Sequence, residues 1–295
     1  LDKTGQFPYE VWKKMGHLGI CGIPYPEECG GWGLDWVSMI IAIEEISRGD
    51  ASLGNSLLDS VTLPMNLLCT FGTEEQKKKW LIPLSTGEKI GAFGLTEPQA
   101  GSDINAIQTR AVLKEEKWVI DGTKQFITNA GLKHNSLVII AAVTGERDKG
   151  RKAVSNFIVP TGVSGYNFGQ RYKKMGYRSS ETRELIFDDC HIPKENILGN
   201  PDKGISQFLM ALQTSRIGFA AHSVGLAQAI LDVSLAYAKE REQFGRPIGK
   251  FQAIRFKLAD MLTEIELARL MTYKAAWQKD QGENYFATST FAKVF

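Results

Sequence analysis

The chain has 295 residues, 43% of them apolar and 23% charged, so it can bury a substantial core, which excludes an intrinsically disordered chain. At roughly 100–200 residues per domain the length fits two or three domains. Lys and Arg number 35 and Asp and Glu 33, a formal charge of +2 that argues against a dedicated nucleic-acid surface, and no window of about 18 consecutive apolar residues offers a transmembrane helix.

From Trp12 to about Lys89 the pattern is helical. Val37, Ile40, Ile41, Glu44 and Glu45 place an apolar face beside an acidic one. Gly30-Gly31-Trp32-Gly33 is hostile to helix and reads as a loop. Thr73-Glu74-Glu75-Gln76 has the form of a capping box, and the helix it opens is expected to stop near Pro83. Cys21, Cys29, Cys69 and Cys190 are spaced for neither a zinc site nor a disulfide framework, and read as four reduced thiols.

From about Ile90 to Leu198 the pattern changes to strands. Lys117 to Ile120 is expected to end in a turn at Asp121-Gly122. Ser136 to Val143 is a continuous apolar run, Asn156 to Val159 closes at Pro160, and Glu184 to Phe187 closes at Asp188-Asp189. Such short strands predict a compact β-barrel or sandwich. From Gly204 the chain is helical again. Ile205 to about Glu242 would span roughly 55 Å as one helix, at about 1.5 Å per residue. Arg246 to Gly249 breaks it, and Ile254, Leu258, Met261, Ile265, Ala268 and Ala275 then form a bundle seam. The whole reads as α+β: a helical domain over 1–89, a β-domain over 90–200 and an incomplete helical bundle over 201–295. Strands and helices do not alternate, and neither GxGxxG nor a Walker A motif is present, so a doubly wound nucleotide fold is disfavoured.

Four clusters could carry chemistry. Gly91 to Asp103 flanks a Thr, a Ser and two acids with small residues, which lets backbone and hydroxyls approach a flat polar ligand; a strand ending in a Pro/Gly turn is the plainer reading. Lys124 to Gly131 puts Phe126 and Thr128 on one side of a strand, able to stack on a ring and donate to it, unless it is simply a half-buried strand. Arg241 to Gly245, with Phe251-Gln252, offers an Arg fork for a diphosphate, or an ordinary helix end with a Gly stop. Arg216, in Gln213-Thr214-Ser215-Arg216, sits on a mainly apolar helix and either finds a partner or faces solvent.

Together these segments resemble the acyl-CoA dehydrogenases, over essentially the whole chain. The resemblance rests on Phe93 to Asp103, Gly122 to Asn129, Lys174 to Ser180, Glu184 to Cys190 and Arg241 to Ile248, in that order. It implies the same three domains, bound FAD, an acyl-CoA substrate, an electron-transferring flavoprotein as partner and a homotetramer. It also implies a role in fatty-acid β-oxidation in the bacterial or archaeal cytoplasm or the mitochondrial matrix, with no metal, nucleic acid or transmembrane segment. Carried over by position, Phe93, Leu95, Thr96, Gly101 and Ser102 would contact the flavin, Ser102 also lying near the substrate. Phe126, Ile127 and Thr128 would pack on its other edge, with the Thr128 hydroxyl near N5. Many relatives have Trp where this chain has Phe126, which keeps the stacking and loses an indole donor. Arg241, Gln243, Phe244 and Gln252 would reach the FAD of a neighbouring subunit, and Gln213, Ser215 and Arg216 would line the acyl-CoA channel.

The family reaction is α,β-dehydrogenation of the thioester, a Glu taking the α-proton and flavin N5 the β-hydride. One family position for that Glu is Ser215 here, and the other lies beyond Phe295. The resemblance therefore implies a chain shortened at both ends, with its catalytic base outside it. Glu97 and Glu184 read as structural. A non-catalytic flavoprotein of this fold and an oxygen-using, acyl-CoA oxidase-like enzyme are the alternatives.

Overall fold

The computed structural model describes residues 2–147 and 150–295. Its first layer is helical. α1 (Tyr9–His17) precedes α2 (Trp36–Gly49) and α3 (Ala51–Ser60), and the Gly30–Gly33 stretch between them is a loop. α2 starts where the Asp35 carboxylate accepts from the Ser38 amide at 2.7 Å, and α3 where Asp50 accepts from Leu53 at 2.8 Å. The inward face of α2 carries Met39, Ile40 and Ile43. Glu44 belongs to that buried face and not to an acidic outer one, because Arg269 and Tyr273 reach it at 2.8 and 2.9 Å; Ile41 is the residue that turns outward. A π turn (Val61–Met65) containing Pro64 leads into α4 (Asn66–Phe71).

The capping box at Thr73 and Gln76 is present, with both reciprocal bonds made. The helical run ends at Ser85, two residues past Pro83, close to the expected stop. α5 (Glu74–Gln76), a π turn (Lys77–Leu81) and α6 (Ile82–Ser85) run on in succession, and Pro83 falls within the first two positions of α6. The wider turn upstream carries the chain past the missing amide.

The β-domain has two halves. In one, β2 (Arg110–Lys114) pairs with β3 (Lys117–Thr128), β3 with β7 (Thr182–Pro193) and β7 with β6 (Tyr166–Arg171), all antiparallel. In the other, β1 (Ile90–Gly94) runs parallel to β4 (Asn135–Arg147), which pairs antiparallel with β5 (Arg151–Pro160), and β5 with β8 (Ile197–Leu198). A single parallel pair, Arg110 with Val143, joins the halves. Two expected turns are not turns. β3 continues through Asp121-Gly122 and β7 through Asp188-Asp189, and these dipeptides face each other in one bulge. There the Asp189 amide donates to the Asp121 carboxylate at 2.8 Å. Asp189 takes φ of +46°, so the paired strands bend instead of reversing. The real hairpin between β2 and β3 is Glu115-Glu116, Glu115 supplying the left-handed φ of +54°.

The last layer is a bundle. α7 (Gly204–Glu240) is one unbroken helix of 37 residues. A hairpin of β9 (Glu242–Gln243) and β10 (Arg246–Pro247) follows, then α8 (Gln252–Asp280) and α9 (Phe286–Val294). Leu258, Met261, Ile265 and Ala268 of the expected seam pack against Val224, Ala227 and Leu231 of α7. α7 has the length and hydropathy of a membrane span. Four of its polar residues nonetheless bond other elements of the protein: His222 to Ser47, Gln228 to Arg269, Asp232 to Arg48 and Arg216 to Thr290.

Candidate functional site

β1 leads into a turn over Leu95 to Ser102 that is bonded to β3. Phe93 lies under this turn, its ring 4.4 Å from that of Phe208 on α7. Glu97 and Ala100 exchange both backbone bonds and close the turn, leaving Gly101 and Ser102 exposed with open space around the Gly101 Cα. Glu97 itself points inward and is only 3% exposed. It accepts from Lys124 Nζ at 2.7 Å, from the Gln108 amide at 2.7 Å, from the Thr109 amide at 3.1 Å and from Gln99 Nε2 at 2.6 Å. Burial would raise this carboxyl, but the Lys124 charge and these donors hold it below its ordinary range. Lys124 has no exposed side-chain surface, and burial pushes it down to about 8 against the pull of Glu97.

Beyond Lys124 the strand bulges: Lys124 pairs with Leu185, but the next paired residue is Ile127, opposite Arg183. The Gln125 amide, freed from the ladder, donates to the Thr96 carbonyl at 2.8 Å. Phe126 takes φ of +61° and stands out with 57% of its surface exposed, its ring 4.8 Å from Tyr172. Ile127 is buried and Thr128 half-buried. The bulge and the left-handed φ of Phe126 interrupt the period of two between Phe126 and Thr128, and Thr96 is fastened beside them through Gln125. A left-handed Phe is uncommon, and it persists here because its neighbours on both sides are anchored. Asn129 follows at φ of +64°, donating to the Ser56 carbonyl at 3.0 Å and so tying β3 to α3.

The α7 residues divide. Ser215 is buried and shares the inward side of α7 with Gly218, which packs against Leu58 and Thr62. Gln213 is half-buried. Arg216 has found a partner: it donates to Thr290 Oγ1 at 3.2 Å and lies 5.0 Å from the Phe286 ring, both on α9. The three candidate channel residues thus do not line one face of α7.

Arg241, Gln243 and Phe244 sit on the β9–β10 hairpin and Gln252 at the start of α8. Phe244 and Gly245 both have positive φ and make the tight turn, with Phe244 93% exposed. Among the described residues this group shares no hydrogen bond or ring contact with Thr96 or Phe126. Glu184 accepts from the Gln170 amide at 3.4 Å on the β6–β7 ladder.

Three features were not assigned a role from the sequence: the ion pair itself, Tyr172 beneath Phe126, and a basic cavity. The cavity, of about 760 Å³, lies between the β4–β5 hairpin and the start of α7 and is lined by Arg147, Arg151, Lys152 and Lys203 beside Asp202. Its floor includes Leu209, next to the Phe208 that stacks on Phe93. The cations come from two segments far apart in sequence, so only the cross-strand pairing of Arg147 with Arg151 was within reach of sequence reasoning.

The surface around Thr96, Phe126 and Thr128 suits a flat, polar ring system: an exposed aromatic face, two hydroxyls and a glycine with open space beside it, all on rigid supports.

Comparison with known proteins agrees in every part of the chain. The acyl-CoA dehydrogenase N-terminal domain matches residues 1–88, the middle domain 92–190 and the C-terminal domain 202–295. The chain is 50% identical over 295 residues to the "Probable acyl-CoA dehydrogenase YngJ" of Bacillus subtilis, covering all of this chain and 77% of that relative. Among solved structures, butyryl-CoA dehydrogenase from Megasphaera elsdenii superposes with a TM-score of 0.94 at 41% identity, over 99% of this chain and 76% of that one. A chain from the structure of the electron transferring flavoprotein of Acidaminococcus fermentans gives 0.94 at 45% identity, over 99% and 76%. The chain belongs to the acyl-CoA dehydrogenases, a family of FAD-dependent oxidoreductases.

Proposed function

We propose that this protein dehydrogenates an acyl-CoA thioester between its α and β carbons to the trans-2-enoyl-CoA. The observation that carries the reading is the bond from the Gln125 amide to the Thr96 carbonyl at the bulge before Ile127, which makes one flat-ring surface from two separate motifs. FAD, when bound there, supplies the hydride acceptor of the reaction. Phe93, Leu95, Thr96, Gly101 and Ser102 on one side and Phe126, Ile127 and Thr128 on the other would hold it. Arg241, Gln243, Phe244 and Gln252 are assigned to the FAD of a neighbouring subunit in a homotetramer. Their exposure, on the hairpin and at the start of α8, supports that assignment.

CoA ends in a polyanionic nucleotide, and the basic cavity offers Arg147, Arg151 and Lys203 to it. The thioester then runs toward Ser102 and the inner side of α7 at Ser215, with Gln213 and Arg216 at its margin. Leu58 and Thr62, packed on Gly218, wall the acyl end. Loss of the weakly acidic α-proton requires donors at the thioester oxygen and a desolvated carboxylate. Glu97 cannot be that carboxylate, since Lys124 and backbone amides occupy it, and Glu184 is committed to β6. The proposal therefore keeps the proton acceptor as a Glu outside residues 1–295, and the domain limits as 1–89, 90–200 and 201–295. Electrons pass to an electron-transferring flavoprotein. The four free thiols suit a reducing compartment, the cytoplasm or the mitochondrial matrix.

The test is anaerobic titration of the FAD-loaded full-length protein with butyryl-CoA. Bleaching of the flavin band, reversed by an electron-transferring flavoprotein and not by air, is the expected result. Failure to bleach with acyl-CoAs of any chain length would favour a non-catalytic flavoprotein, and rapid reoxidation by air an oxidase.

A further inference from the structure

We propose that the buried Glu97–Lys124 ion pair is the positioning element of the flavin-facing surface. The inference rests on the assignment of Thr96, Phe126 and Thr128 to the cofactor. Three observations lead to it. First, the pair links the two halves of that surface. Glu97 is the residue after Thr96, Lys124 lies two before Phe126, and their charged atoms meet at 2.7 Å. Lys124 Nζ also donates to the Leu95 carbonyl at 3.2 Å, so one ammonium grips the loop on both sides of Thr96. Second, Glu97 is saturated by the Gln108 and Thr109 amides and Gln99, which pins the whole 97–109 excursion to the same point. Third, stability alone does not account for the pair. Two charges taken wholly out of water are commonly no better for folding than apolar residues of the same volume. What the ion pair supplies over an apolar contact is a fixed distance and direction. Both are needed here. Phe126 is held in a left-handed conformation it does not favour, and the Gln125 amide has left the sheet for the Thr96 carbonyl. Release of the Lys124 anchor lets the bulge relax toward ordinary strand, which turns Phe126 and separates it from Thr96.

The experiment compares the wild-type protein with Glu97→Gln, Lys124→Met and the double variant Glu97→Gln/Lys124→Met. FAD affinity is read by flavin fluorescence, thermal stability on the apoprotein, and exchange protection at the Thr109 and Gln125 amides. The double variant removes both charges at once, so no unpaired buried charge remains to unfold it. The expected result is that it regains most of the melting temperature lost by the single variants, yet binds FAD about tenfold or more weakly than wild type. Its Gln125 amide should exchange faster even without FAD. A double variant that binds FAD like wild type, or whose Gln125 amide stays protected, overturns the proposal. Because exchange is read without cofactor, a wild-type protein that takes up no FAD would refute the cofactor assignment while protection still judged the pair.

Discussion

At the scale of single residues, two buried ionisable groups give opposite pH dependences of stability. His222 is 3% exposed, with Nδ1 2.8 Å from Ser47 Oγ and Tyr177 packed on its ring, and burial pushes it down to about 4. Between its ordinary value near 6.5 and that value the unfolded chain holds a proton that the folded one does not. Stability therefore falls as pH drops through this window, by up to about 3 kcal/mol. His222→Gln should flatten the dependence, read from urea midpoints between about pH 4 and 7. Asp59 behaves oppositely. It is buried on α3 with Oδ2 unpartnered among the described residues, and burial raises its carboxyl to about 8. Here the folded state holds the extra proton, so stability falls as pH rises from about 4 to 8. Asp59→Asn should stabilise the protein by roughly 1–3 kcal/mol at pH 8 and by nothing measurable near pH 4. Neither group was singled out from the sequence, because burial and the absence of a partner are properties of the packed chain.

At the scale of elements, α7 is the spine against which the other layers are placed. Phe208 touches the strand that leads to the site, Gly218 admits Leu58 and Thr62, and Arg216 meets α9. The tightest point is Gly225, where an added Cβ would stand 2.1 Å from the Glu44 carbonyl of α2. Gly225→Ala should force α2 and α7 apart and lower stability by about 2 kcal/mol or more, seen as a fall of several degrees in melting temperature. The length of this helix and the seam on α8 were legible because a helical run and the spacing of its apolar residues are local properties. Two of the expected strand ends were not, although the end of β5 at Pro160 was. Asp121-Gly122 and Asp188-Asp189 each carry a local turn signal, but facing each other they form a bulge, and long-range pairing outweighs the local preference.

At the scale of the whole molecule, the reaction needs a nucleotide end, a thioester and a flavin edge within one connected surface. The basic cavity is proposed to serve the first. Arg151→Ala combined with Lys203→Ala should raise KM for acyl-CoA about tenfold and weaken its salt dependence. KM for the corresponding acyl-pantetheine should stay unchanged, and steady-state assays with both substrates check this. The family was readable from the sequence because its motifs keep their order and residue types, and the three-region α+β layout was readable because periodicity switches from 3.6 to 2 and back. The assembly of the site was not. The Thr96 carbonyl is joined to the Gln125 amide, next to Phe126, by a bond that only the bulge makes possible, and Arg151 and Lys203 share a cavity across a span of chain that no local pattern links. Glu97, a turn residue by its neighbours, becomes a buried anion bound to Lys124. Periodicity and motifs report what each segment prefers. Which segments meet, and which charges lose their water when they do, is settled by packing the layers together, since desolvation and long-range pairing exist only in the folded chain.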